Sequence, residues 1–71
     1  LRAPLDFAAT YALTAAECEV LAMLLRGSTP AEIAATRGVA ISTVRTQLKR
    51  LFAKTGTRGQ ADLVRRALQA P

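Results

Sequence analysis

The stretch Thr29-Pro30-Ala31-Glu32-Ile33-Ala34-Ala35-Thr36-Arg37-Gly38-Val39-Ala40-Ile41-Ser42-Thr43-Val44-Arg45-Thr46-Gln47-Leu48-Lys49-Arg50-Leu51-Phe52-Ala53-Lys54-Thr55 reads as two helices with a turn between them. Thr29 followed by Glu32 is a capping box, in which the hydroxyl accepts from a free backbone N–H and the carboxylate reaches back to the cap. Pro30 falls at the first helical position, where its missing N–H does no harm. Ile33, Ala34 and Arg37 carry this helix only to Gly38. So short a helix does not hold itself together and must lie packed between neighbours. After a turn through Gly38, Val39 and Ala40, a longer helix is expected from about Ile41 to Thr55. Val44, Leu48, Leu51, Phe52 and Thr55 share one narrow face of it, and the opposite side is polar and basic.

Working outward, Thr14-Ala15-Ala16-Glu17 is a second capping box with Leu13 placed as a hydrophobic staple. It predicts a helix from Ala15 to Arg26, stopped by Gly27, with Ala16, Val20, Met23 and Leu24 as its apolar stripe and Leu21 and Leu25 widening it. Downstream, Gly56 ends the long helix, and another is expected from about Gln60 to Gln69 with Ala61, Leu63, Val64, Ala67 and Leu68 on its apolar side. Residues 1–12 show neither a helical nor a strand period and read as a linker or docking arm. Leu5, Phe7 and Tyr11 are the side chains able to tack that arm down, or to meet an upstream domain. The expectation is an all-α, four-helix bundle over residues 13–69.

Seventy-one residues suffice for one domain, and one so small buries only about 60% of its unfolded surface, so it needs a well-filled core or a partner. With three aromatic residues, Phe7, Tyr11 and Phe52, that core must come from aliphatic side chains, which suits packed helices. Cys18 is the only cysteine and no histidine is present, so an intramolecular disulfide and the usual zinc spacings are excluded. Cys18 reads as a small core residue. The chain has no apolar run long enough to span a bilayer and no signal pattern, which reads as cytoplasmic.

Ten Lys and Arg against five Asp and Glu give a formal charge of +5. Between Arg37 and Arg58 lie six basic residues, Arg37, Arg45, Lys49, Arg50, Lys54 and Arg58, and no acid. A single Arg or Lys on an exposed helix is ordinarily plain solvation. Clustering opposite an apolar stripe, after a short helix and a glycine turn, is the sequence form of a helix-turn-helix whose second helix enters the DNA major groove. On a helical wheel Ser42, Arg45, Thr46, Lys49 and Ala53 point away from the core stripe, with Arg50 at the edge. Arg45, Thr46 and Lys49 are the candidate base readers, since Arg and Lys donate to guanine and a small residue permits close approach. Ser42, Thr43, Gln47, Arg50, Lys54 and Arg58 are candidates for phosphate contacts.

In order and spacing, Leu13-Thr14, Glu17, Glu19-Val20-Leu21, Gly27, Glu32-Ile33-Ala34, Thr43-Val44-Arg45, Lys54, Gly56 and Ala61-Asp62-Leu63-Val64 resemble the LuxR-type (GerE-like) helix-turn-helix domain of bacterial transcription regulators. The resemblance covers residues 13–68. It implies a four-helix bundle, recognition by the third helix through Arg45, Thr46 and Lys49, backbone contacts from Thr43 and Lys54, and a homodimer contact on the fourth helix. Leu63, Arg66 and Ala67 are the expected dimer residues. The resemblance also implies transcriptional control by an upstream regulatory domain, and the opening on Leu1 reads as the start of a fragment. Ala40 departs from the family's capping Ser, so Ser42 or a bound phosphate is expected to serve. Gln47 stands for a common His and Thr55 for a common Leu.

The rival reading is a protein-interaction helix-turn-helix docking on RNA polymerase or a partner regulator. A purely protein-docking helix has no need of Arg45, Lys49 and Arg50. An enzyme is disfavoured by the absence of His, of a nucleophile–base pair and of a phosphate loop, and no cofactor is expected. Membrane-surface binding is disfavoured because the apolar face of the basic helix is narrow and lacks an aromatic-rich stripe.

Overall fold

Both capping boxes close. Thr14 Oγ1 accepts from the Glu17 N–H at 3.1 Å while the Thr14 N–H donates to Glu17 Oε1 at 2.9 Å. Thr29 and Glu32 repeat the exchange at 3.2 and 2.8 Å. These caps open α2 (Ala15–Leu25) and α3 (Pro30–Arg37) of a computed structural model that describes residues 3–69, with side chains from Phe7 onward. They are preceded by α1 (Ala3–Tyr11) and followed by α4 (Ile41–Thr55) and α5 (Gln60–Gln69), with no strand among the described residues. The all-helical fold is therefore as expected, and the four helices read from the sequence lie within a residue of their expected bounds.

The turn between α3 and α4 needs Gly38, which takes a left-handed φ of 67° while its neighbour's N–H, on Val39, returns to the Ala34 carbonyl at 3.0 Å. That reversal packs α3 against α4, and α2 packs against both. Val20, Leu21, Leu24, Ile33, Ala34, Val44, Leu48, Leu51, Leu63 and Ala67 form one buried cluster with Phe7. Ala16, Met23 and Leu25, expected in the α2 stripe, are only half-buried, and so is Cys18. Thr55 and Thr57 are buried polar residues in the cluster's margin. Thr55 Oγ1 donates to the Leu51 carbonyl at 2.7 Å, so at 2.9 Å it accepts from Thr57 Oγ1. This chain of bonds ties the end of α4 to the approach to α5.

Three expectations need correction. The segment 1–12, expected as a linker or docking arm with no clear helical period, holds helix α1, packed on α2 and α5. Its Phe7 is 2% exposed and packs against Tyr11 with ring centroids 4.7 Å apart and the rings tilted by 58°. Leu5, also expected to tack the arm down, has a side chain outside the described residues, as are residues 1–2. Secondly, Leu63 and Ala67, expected at a dimer contact, are 0% and 1% exposed within the single chain. Helix α5 packs against α1, α2 and α4, so this face is used within the single chain. Leu68, expected on the apolar side of α5, is instead 58% exposed.

Thirdly, Ser42 does not cap α4. Ala40 has the extended backbone of an N-cap, with φ −69° and ψ 148°, but no side-chain bond to the helix. Ser42 instead offers its carbonyl to Thr46 Oγ1. Because the backbone already has the cap geometry, Ala40→Ser is expected to stabilise the domain by about 1 kcal/mol. In a thermal melt this reads as a rise of about 4–8 °C; an unchanged or lowered melting temperature would show that a hydroxyl there does not reach the free N–H groups.

Candidate nucleic-acid interface

The core stripe of α4 turns Val44, Leu48 and Leu51 inward, and this fixes what faces out. Ser42, Thr43, Arg45, Thr46, Lys49, Arg50 and Ala53 are exposed along the helix, so all three candidate base readers stand on open surface. Arg45 and Lys49 are one turn apart, with Thr46 beside them. Among the described residues no carboxylate pairs with Arg45, Lys49, Arg50 or Arg58. These charges are therefore not neutralised within the fold, and their field is directed outward.

Other basic residues of the acid-free stretch are engaged. Arg37 is paired through Nη1 with Glu19 of α2, which staples α3 to α2. Lys54, expected at a phosphate, is turned inward: Nζ donates to Glu17 Oε1 at 2.6 Å and to the Ala12 carbonyl at 3.2 Å. Ala12 sits in the left-handed region at φ 54°, a strained conformation for a residue with a Cβ, which turns α1 into α2. The Lys54 ammonium thus joins the end of α4 to the α1–α2 corner. Gln47, also expected at a phosphate, is half-buried, with Oε1 enclosed and lacking a hydrogen-bond partner.

Glu17 was legible only as a cap, yet its side chain is 3% exposed. Burial acts to raise its pKa, but hydrogen bonds from Lys54 and from the Thr14 N–H, with the ammonium's charge, outweigh burial and hold the carboxyl below the ordinary range. A signal for this burial existed. Glu17, Val20, Leu21 and Leu24 follow i, i+3, i+4, i+7, and they are the four buried residues of α2. At the other end of the interface, Asp62 accepts from Arg65 Nη2 at 2.5 Å and from the Arg58 N–H at 3.1 Å. Arg65 first and the Arg58 N–H second hold the Asp62 carboxyl below its usual range. The Arg58 N–H is thus held by Asp62 of α5, while the Arg58 side chain stays exposed.

No cluster of three His, Cys, Asp or Glu suited to a metal ion occurs among the described residues. No described helix is long and apolar enough to cross a membrane. The chain matches no curated protein and no solved structure at a significant level. A family model does match, that of bacterial regulatory proteins of the luxR family, or GerE, over residues 11–67. The matched span runs from the end of α1 through the α3–turn–α4 unit into α5, and leaves most of α1 outside. With its helical fold and the match across most of its length, the chain belongs to the luxR family of bacterial regulatory proteins and carries that family's DNA-binding helix-turn-helix domain.

Proposed function

We propose that this domain binds double-stranded DNA sequence-specifically as the output module of a transcription regulator, with α4 in the major groove. The observation that carries this reading is the exposed row of Arg45, Thr46 and Lys49 opposite the buried stripe of α4, with no carboxylate neutralising its cations. Arg45 and Lys49 donate to base edges. Ser42, Thr43, Arg50 and Arg58 contact phosphates, and the uncapped N–H groups at the start of α4 are available to a phosphate as well. Gln47 has at most a minor part, and Lys54 belongs to the fold.

On a two-fold site the domains pair through the exposed side of α5. Leu68 lies on that side, with Ala61 and Arg65 beside it on the helix; Leu63 and Ala67 are buried, and Arg66, two residues before Leu68, is exposed on a different flank. Two recognition helices are then placed about one DNA turn apart.

A titration of an operator selected from random-sequence DNA, alongside a scrambled duplex, tests these roles together. Affinity is expected to fall log-linearly with salt, and Arg45→Ala or Lys49→Ala to lose about 1–3 kcal/mol of preference for the operator with little change on the scrambled duplex. Arg50→Ala and Arg58→Ala are expected to weaken both complexes alike and to lower the salt slope by about one unit each. A salt-independent affinity, or a base preference indifferent to Arg45 and Lys49, would refute groove docking of α4. One domain per palindromic site at saturation would refute the pairing.

A further inference from the structure

We infer that Thr46 recognises the 5-methyl group of a thymine through its own methyl, and no base edge through its hydroxyl. This inference rests on the docking of α4 proposed above. Thr46 is exposed near the middle of the outward face of α4, and its Oγ1 donates to the Ser42 carbonyl at 3.0 Å. A threonine hydroxyl has one proton, and here that proton is committed to the helix backbone one turn back. The side chain therefore presents no donor to the groove, and Cγ2 is its only heavy atom beyond Cβ not bonded to the helix.

The surroundings favour an apolar use of that methyl. Arg45 and Lys49 lie together to one side of Thr46 on the helix and already supply donors for guanine O6 and N7 or other acceptors. Of the groups that unmodified base pairs display in the major groove, the thymine methyl is the apolar one. Thr46 is small enough for the helix to come within contact distance, and the back-bond holds its χ1, so the methyl does not have to be ordered on binding.

The test replaces each thymine of the selected operator, one at a time, with deoxyuridine, which removes the methyl and nothing else. Wild type is expected to lose about fourfold at one position in each half-site, the worth of one buried methyl-sized group. Thr46→Val keeps the methyl and drops the hydroxyl, and should show the same fourfold loss. Thr46→Ser keeps the hydroxyl and drops the methyl, and should bind the thymine and deoxyuridine duplexes equally well. The exposure of residue 46 leaves the core untouched by either change.

The proposal is overturned if Thr46→Ser retains the thymine preference, or if Thr46→Val alone loses affinity for the intact operator, which would mean that the hydroxyl oxygen accepts from a base. It is also overturned if no deoxyuridine position matters to the wild type. In that last case Arg45→Ala separates the two failures: a relaxed base preference leaves α4 in the groove and removes only the role of Thr46, while an unchanged preference removes the docking as well.

Discussion

Lys54→Met is expected to cost the domain about 2–3 kcal/mol at neutral pH, because it leaves the Glu17 carboxylate buried without its cation. Breaking a buried ion pair from one side typically costs about 3–5 kcal/mol. The lower figure applies because the Lys54 side chain is one-third exposed and water screens part of the pair. For 71 residues, whose whole stability is of the order of 4–10 kcal/mol, this is a large fraction.

The pH dependence has a definite sign. The folded Glu17 carboxyl titrates below its ordinary value of 4.5, so the pair's contribution is fully present above that value and is lost as pH falls through the lower folded one. In Lys54→Met the buried carboxyl gains by taking up a proton, so the deficit against wild type should narrow on acidification. Urea unfolding at neutral pH and below pH 4 measures both effects, and adding Glu17→Gln to Lys54→Met should recover part of the loss. Equal urea midpoints for wild type and Lys54→Met at neutral pH would show that the pair contributes nothing. Once corrected for folded fraction, the variant's DNA salt slope should match the wild type, since Lys54 makes no phosphate contact in this reading.

Phe7→Ala should cost about 3 kcal/mol, the low end for removing a buried phenyl ring, because α1 lies at the edge of the cluster. Phe7 is in the same buried cluster as Leu63 and Ala67 of α5, and its ring also loses the contact with Tyr11. The family match begins at Tyr11, so this substitution asks whether α1 is part of the same cooperative unit as the matched helices. Chemical unfolding followed by far-ultraviolet dichroism gives the answer, with Phe7→Leu as a control that keeps most of the buried area. A loss under about 0.5 kcal/mol, the range of ordinary surface substitutions, would show that α1 folds and unfolds independently of the bundle. A full loss would make the α1–α5 contact a route by which anything that moves α1 alters α5, and Lys54 on the Ala12 carbonyl extends the route to α4.

What could be read directly from the sequence was local. Thr14 with Glu17, Thr29 with Glu32, Pro30, Gly38 and Gly56 mark helix ends through bonds and backbone angles that span a few residues, so α2, α3 and α4 were legible to within a residue. The stripe Val44, Leu48, Leu51 and Thr55 settled which face of α4 is inward, and hence that Arg45, Thr46 and Lys49 face out. The order of landmarks settled the family. Tertiary structure alone decided the matters that depend on distant partners. Residues 1–12 show no period of their own: among the described side chains of α1, Phe7 is buried in the core and Tyr11 packs against it, and these two make no repeat to read. Leu63 and Ala67 look identical in sequence whether the other helices of the same chain or a second chain cover them. Lys54 and Glu17 lie 37 residues apart, and a lysine at the edge of a helix faces solvent or a buried carboxylate depending on how α2 crosses α4. Helix propensity and capping are short-range quantities, while the destination of a long charged side chain is set by packing, which only the assembled helices specify.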